Sequence, residues 1–246
     1  MIKIGITGDR GFIGENLISA LKKRKKFKLV RFDRSRYDLF NIDSLSDFVS
    51  NKDVIVHAAA INRGSNKSVI SGNIVITYNL LSAMKKFNSK AKLIYLSSIH
   101  ADSNSVYGIS KKLTEIMLES FSAEHRKPIT VFRLTNVFGE GCKPFYCSVI
   151  ATFCHQVAKG EKLSVNPNDK KFKFLYVGDL VGIIIKELAT KRKINFYLKT
   201  VSSSNEISIP DLAKLILSFK KGKPQLKLKF YKDLYKTYLS YQHKSV

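Results

Sequence analysis

Ile2-Lys3-Ile4-Gly5-Ile6-Thr7-Gly8-Asp9-Arg10-Gly11-Phe12-Ile13-Gly14 is the stretch on which the fold turns. Residues 2–7 read as a strand, and Gly14 to Lys25 as a helix with Leu17, Ile18 and Leu21 on one face. Between them lie glycines in a Gly-x-x-Gly-x-x-Gly spacing. Gly8 permits the tight turn, Gly11 lets the backbone approach a pyrophosphate, and Gly14 lets helix and strand pack closely. Phosphates then sit at the helix N-terminus, where unpaired N–H groups and the helix dipole favour anions. A glycine triplet alone is a weak signal. Its place between a strand and a helix makes it a cofactor motif.

Working outward, short apolar runs alternate with helical periodicity. Phe27 to Phe32, Asp53 to Ala58, Lys92 to Leu96 and Ile129 to Leu134 read as strands, with helices over Gly72–Phe87 and Tyr107–His125. The alternation predicts an α/β fold with a Rossmann-type doubly wound parallel sheet. Beyond Gly139 the pattern loosens. Ser148 to Lys159, residues 177–189 and Asp211 to Phe219 look helical, the last opened by Pro210, and Phe172 to Val177 looks strand-like. The expected division is a dinucleotide-binding domain over 1–140 and a smaller, mainly substrate-binding lobe over 141–246 that returns in places to the sheet. Phe230, Tyr231, Leu234, Tyr235, Tyr238 and Leu239 read as one helix face packed on that lobe.

The totals exclude several classes. A chain of 246 residues with 44% hydrophobic composition can bury a core of ordinary size. No apolar run is long enough to span a bilayer and no signal peptide opens the chain, so the chain reads as cytoplasmic. The cysteines, Cys142, Cys147 and Cys154, are odd in number and lack metal-ligand spacing, so reduced thiols and no metal are expected. Basic residues outnumber acidic ones by 43 to 19, a formal charge of +24. Such an excess suits nucleic acid, an anionic membrane or phosphate-bearing ligands. The lysines are spread along the whole chain, which favours a solvated surface over a nucleic-acid footprint.

Two local patterns carry chemistry. At the end of the second strand, Asp33 lies 19 positions after Gly14, where a carboxylate binds the ribose hydroxyls of NAD. Arg34 follows at once, where a guanidinium holds the 2′-phosphate of NADP. The arginine favours NADP, with NAD still open. Further on, Ser97-Ser98 closes a strand, and Tyr107 and Lys111 lie four apart at the start of a helix, hence on one face. A lysine cation beside a tyrosine lowers a phenolic pKa that is otherwise near ~10. Ser98 can donate to a carbonyl oxygen as charge develops on it.

The set TGDRGFIG, VIVHAAA, YLSS, VYGISK and RLTNVFGE resembles the extended short-chain dehydrogenases/reductases, the NAD-dependent epimerase/dehydratase family, that modify nucleotide sugars. GCKPFYCSVIATFC and DLYKTYLSY resemble a narrower group. These are the reductase domains of bifunctional bacterial capsular-polysaccharide enzymes on the UDP-N-acetyl-L-fucosamine pathway. The resemblance implies NADPH-dependent reduction of the 4-keto group of a UDP-linked 6-deoxy-4-hexulose, N-acetylated at C2. It implies Ser98, Tyr107 and Lys111 as the catalytic set. Gly8, Gly11, Phe12 and Ile13 match the phosphate loop, Arg34 the 2′-phosphate contact, and His57, Ala58 and Ala59 the strand end beneath the cofactor; Tyr107 and Lys111 also reach the cofactor. Asn136, Lys143 and Tyr146 match substrate-binding positions. Competing readings are a satisfied core histidine for His57 and a turn cap for Asn136.

Some features depart from the wider family. Ser98 and Tyr107 are nine positions apart, a short interval, and Ile99-His100 stands where sugar 4,6-dehydratases carry an Asp-Glu pair. Dehydration is therefore disfavoured. The narrower group continues into a metal-binding cupin epimerase, so the resemblance leaves two alternatives: a truncated chain, or a reductase that stands alone with a separate cupin as partner; His243 is the one histidine after Lys220. The resemblance also implies a homodimer through the helices 72–87 and 107–125, with Ile74, Leu80, Leu81 and Met84 as apolar residues beyond the core face. The alternatives are a 4-epimerase that retains NAD, and a dinucleotide-sensing or nucleic-acid-binding protein of the same fold.

Overall fold

The computed structural model describes residues 1–165, 167, 169–222 and 228–242; His243 lies outside them. The elements follow in chain order as β1 (Ile2–Thr7), α1 (Phe12–Lys22), β2 (Phe27–Arg31), α2 (Ser46–Val49), β3 (Val54–His57), α3 (Asn66–Lys86), β4 (Lys92–Ser98), α4 (Val106–His125) and β5 (Ile129–Leu134). Then come β6 (Asn136–Phe138), α5 (Val149–Lys159), β7 (Lys171–Tyr176), α6 (Val177–Leu188), β8 (Phe196–Val201), β9 (Glu206–Ser208), α7 (Ile209–Ser218) and α8 (Lys229–Gln242).

Six strands form a sheet in the order β2-β1-β3-β4-β5-β8, with parallel pairing throughout β2-β1-β3-β4-β5. Ile4, Ile6, Ile55, Val56, Leu93, Ile94 and Val131 are wholly buried, because helices on both faces of a parallel sheet leave neither face to water. The chain leaves β1 in one direction to β2 and returns on its other side to β3. In such sheets ligands bind beside that reversal, at the carboxyl ends of the strands, here β1 and β3.

Contacts divide the chain into two compact units. The first comprises Met1–Leu134 and Ile183–Thr200. One of its cores gathers Phe32, Phe48, Leu80, Met84, Tyr95 and Leu118. Within this unit the nearly buried Glu187 carboxylate accepts from Lys92, Thr130 and Arg192. Burial pushes that carboxyl up, but Arg192, Lys92 and Thr130 outweigh it and hold it below the ordinary range.

The second unit comprises Thr135–Gly182 and the described residues from Val201 onward. It holds a three-stranded sheet, β6-β7-β9, with β6–β7 parallel and β7–β9 antiparallel. Phe138, Phe153, Phe174, Phe219, Phe230, Leu234 and Tyr238 make its core, so α8 packs the aromatic face read from the sequence.

Sequence and structure part company at elements with weak apolar patterns. α3 starts at Asn66, not Gly72, because the Ser65 hydroxyl accepts from the Ser68 amide and caps a polar first turn. β6 and β9 have three residues each, too short to show alternation. On α3, Leu80, Leu81 and Met84 are buried within the unit and offer nothing to a partner. The large apolar side chains facing outward are Val75 and Tyr78 on α3, and Ile109, Leu113 and Ile116 on α4. Among the described residues, no helix is long and apolar enough to cross a membrane.

Candidate active site

The turn after β1 depends on missing side chains. Gly8 has φ +69°, and a Cβ there would lie 2.6 Å from the Ala59 nitrogen and 2.7 Å from the Ala58 carbonyl carbon. A Cβ on Gly14 would lie 2.2 Å from the Gly8 oxygen. The glycine loop is thus pressed against the chain leaving β3, at the switch point of the sheet. Gly11 is the N-cap of α1 and supplies no side-chain acceptor. By contrast, α3, α4, α5 and α7 are each capped by a serine hydroxyl. The first-turn N–H groups of α1, including those of Phe12 and Ile13, therefore keep their capacity for an anion, and the loop fits a dinucleotide pyrophosphate.

His57 is wholly buried at the end of β3. Its Nδ1 lies 2.7 Å from Thr7 Oγ1 and its Nε2 lies 3.1 Å from Thr77 Oγ1. Burial, with the Lys111 charge nearby, pushes its pKa down to about 3, so the ring is neutral. With both nitrogens engaged, the side chain packs the core and leaves only backbone to face a ligand. Ala58 and Ala59, which follow, are half-buried.

At the end of β2, Asp33, Arg34 and Arg36 are all exposed. The Asp33 carboxylate accepts from the Ser35 amide and hydroxyl at 3.0 and 2.8 Å, which holds its pKa below the ordinary carboxylate range. Arg31 donates to the buried Asp9 carboxylate at 2.7 Å and so braces the glycine loop. Arg36 pairs with Asp47. Arg34 enters none of the ion pairs among the described residues.

β4 and α4 carry the serine, tyrosine and lysine. Ser98 is the last residue of β4, and its Oγ accepts from the His100 amide at 3.2 Å, which starts a 3-10 turn over Ile99–Asp102. That turn packs on the first turn of α4 because Gly108 has no side chain: a Cβ there would lie 2.1 Å from the His100 oxygen. The His100 and Tyr107 rings lie edge to face with centroids 6.4 Å apart. One turn along α4, the Lys111 ammonium is 2% exposed and 5.7 Å from the centre of the Tyr107 ring. Burial pushes the Lys111 pKa down to about 8, opposed by the Glu115 carboxylate.

Several residues of this neighbourhood escaped the sequence reading. Lys111 Nζ donates to the Tyr95 hydroxyl and the Leu96 carbonyl oxygen, each at 3.1 Å. Glu115, one turn beyond Lys111, accepts from Ser97 Oγ at 2.5 Å and from Arg133 Nη2 at 2.6 Å. Arg133 also grips Asp102 with two bonds of 2.9 Å from Nη1. The end of β4, the turn after it and α4 are thereby locked together. The signal that could have found Glu115 is its place four residues after Lys111 and eight after Tyr107, along one helix face.

The second unit carries the other expected positions. Asn136 opens β6, and its Nδ2 donates to the Lys173 carbonyl oxygen at 3.4 Å, so it ties β6 to β7. Lys143 and Tyr146 are exposed, with the ammonium 5.9 Å from the ring centre. Between them Phe145 takes φ 55°. The same unit holds a polar cluster that the sequence reading passed over: Tyr176 donates to Glu140 at 2.8 Å and accepts from Lys236 at 2.9 Å.

Comparison with known proteins places this geometry. A sequence model of the NAD dependent epimerase/dehydratase family matches residues 4–196. The UDP-2-acetamido-2,6-beta-L-arabino-hexul-4-ose reductase of Pseudomonas aeruginosa is 30% identical over 246 aligned residues, covering 98% of this chain and 65% of that protein. The crystal structure of the capsular polysaccharide assembling protein CapF from Staphylococcus aureus superposes with a TM-score of 0.80 at 30% identity, over 98% of this chain and 65% of that one. The chain thus spans just under two thirds of the length of these relatives. The structure of RMD from Pseudomonas aeruginosa complexed with NADPH superposes with a TM-score of 0.86 over 98% of this chain and 99% of that one. At 21% identity that likeness speaks to the fold alone.

Proposed function

The chain belongs to the NAD dependent epimerase/dehydratase family, and we propose that it is a nucleotide-sugar reductase. Its substrate is a UDP-linked 6-deoxy-4-hexulose N-acetylated at C2, reduced at C4 for capsule or related surface sugars. The observation that carries this reading is the buried Lys111 ammonium beside the Tyr107 ring, at the end of the strand that terminates in Ser98. The 30% identity to a UDP-sugar 4-ketose reductase supports it.

When bound, NADPH supplies the hydride for C4. The chain's own residues supply the rest. Tyr107 gives its hydroxyl proton to the C4 oxygen, and Ser98 donates a hydrogen bond to the same oxygen as negative charge develops there. Lys111 stabilises the phenolate left on Tyr107 and holds the nicotinamide ribose. Gly8, Gly11, Phe12 and Ile13 take the pyrophosphate at the start of α1, Arg34 takes the 2′-phosphate, and the backbone of His57, Ala58 and Ala59 lies beneath the cofactor. Asn136, Lys143 and Tyr146 belong to the sugar nucleotide. A second copy of the chain, paired through α3 and α4, and a cupin epimerase acting on the same sugar are the partners of this reading.

The test is to offer UDP- and dTDP-linked 4-keto sugars, with and without the C2 acetamido group, while following NADPH absorbance. Oxidation of NADPH with the UDP-linked acetamido sugar is expected, and none across the panel would overturn the proposal. Asp33 at the end of β2 favours a second reading, a 4-epimerase holding NAD by its ribose hydroxyls. Tightly retained NAD in the purified protein would select it.

A further inference from the structure

Tyr95 takes no part in the roles assigned above, yet the Lys111 ammonium is built against it. The residue lies on β4, three positions before Ser98, and is 1% exposed. Its hydroxyl accepts from Lys111 Nζ at 3.1 Å, while the Leu96 carbonyl oxygen takes a second Nζ hydrogen at the same distance. The Tyr95 oxygen thus turns a lone pair to Lys111.

The consequence is geometric. An ammonium has three N–H groups, and here two of them are committed to fixed, buried acceptors. In a tetrahedral group, fixing two directions fixes the third. A phenylalanine would fill the same space in the core, stacked on His57 at 5.7 Å, without any need for an oxygen. The partner of that oxygen, Lys111, stands on α4.

We propose that Tyr95 is a positioning residue: its hydroxyl anchors the Lys111 ammonium so that the remaining N–H is presented to Tyr107 and the cofactor ribose. This inference rests on the catalytic reading of Lys111. Burial pushes the Tyr95 pKa upward, so the phenol stays a neutral acceptor throughout the working range. The other ionisable groups facing Lys111 are Tyr107 and Glu115 from α4 and His57 from β3. His57 is held neutral down to about pH 3 and Glu115 is paired with Arg133.

The experiment is Tyr95→Phe in the full chain, with two readouts. The first is the titration of Lys111 followed by NMR on protein labelled with carbon-13 at lysine Cε, the resonance assigned by its loss in Lys111→Arg. Removing an acceptor of the charged form moves the midpoint further down from about 8, by roughly half a unit or more. The second is turnover, expected to fall by about fivefold to tenfold, the scale of one lost hydrogen bond, with the KM for the sugar changed by less than about twofold. An unchanged Lys111 midpoint overturns the proposal. A shifted midpoint with unchanged kcat overturns it as well, since the contact would then exist without serving the reaction. The titration does not depend on catalysis. Full turnover in Lys111→Arg and Lys111→Ala would instead sink the catalytic reading itself, with the NMR result standing apart. If Tyr95→Phe does not fold by circular dichroism, Tyr95→Leu, which likewise removes the acceptor for Lys111, is expected to move both readouts in the same directions.

Discussion

Lys111 holds its ammonium 5.7 Å from the centre of the Tyr107 ring, one turn further along α4 and 2% exposed. A phenol is a poor acid-base group at neutral pH, and a cation held beside it in a dry site brings its pKa toward the working range. The lysine cannot turn away, because Tyr95 and the Leu96 carbonyl hold it from the strand side.

Tyr107→Phe keeps the ring and removes the proton. Turnover with the 4-keto sugar is expected to fall by at least ~10²-fold, the usual scale for losing a general acid. NADPH binding measured by fluorescence titration should change by no more than a few-fold. Near-normal turnover in the variant would end the assignment of Tyr107 as the proton donor.

Gly108→Ala tests how the turn after Ser98 reaches α4. The added methyl would stand 2.1 Å from the His100 oxygen, so the backbone of Ile99–Asp102 must move and carry Ser98 with it. A loss of stability of about 1–3 kcal/mol is expected, together with a lowered kcat. A variant equal to the parent in both thermal midpoint and kcat would show that this close approach is dispensable.

Arg34→Ala addresses cofactor choice. Arg34 is exposed just past β2 and enters no ion pair among the described residues, whereas its neighbours Arg31 and Arg36 are paired with Asp9 and Asp47. The variant is expected to weaken NADPH relative to NADH by roughly 1–3 kcal/mol, the order of a charged hydrogen bond. Equal losses for both cofactors by calorimetry would remove Arg34 from 2′-phosphate recognition.

His57 makes the fold sensitive to acid. Its pKa falls from 6.5 in the unfolded chain to about 3 in the folded one, because burial disfavours the imidazolium. Between those values the unfolded chain binds the extra proton, so stability is fully present above pH 6.5 and is lost as pH falls toward 3. The expected slope from this residue is about 1.4 kcal/mol per pH unit. Urea unfolding of the parent and of His57→Asn across that range should differ in slope by that amount. Parallel pH dependences would mean that the buried ring accepts its proton in the folded state.

A second copy of the chain is the expected occupant of the outward faces of α3 and α4. Tyr78 is 56% exposed and Ile116 51%, beside Leu113 on the same α4 surface. An isologous helical pair buries such residues in both subunits at once. Light scattering at micromolar concentration should give a dimer, and Ile116→Asp a monomer. A monomeric parent chain would contradict the pairing.

Much of this protein was legible before any coordinates. The glycines at 8, 11 and 14, the buried strands Ile2–Thr7 and Val54–His57, and the Tyr107/Lys111 spacing are local patterns. A tight turn, a strand covered on both faces and one helix face each impose their own residue period. The identity of Ser98 as a strand-terminal residue followed from the same periodicity.

Tertiary structure alone decided what those residues touch. That Tyr95 and the Leu96 carbonyl anchor Lys111, that Glu115 joins Ser97 to Arg133, and that His57 is closed between Thr7 and Thr77 are contacts across 15 to 50 positions of chain. Such contacts have no period, because they depend on which strands become neighbours in the order β2-β1-β3-β4-β5-β8 and on the register between them. The same holds for the outward face of α3, where Leu80, Leu81 and Met84 looked surplus to the core and proved to be part of it. A helix packed between a sheet and a neighbouring helix buries more than one stripe, and a sequence shows the stripe but not the number of neighbours.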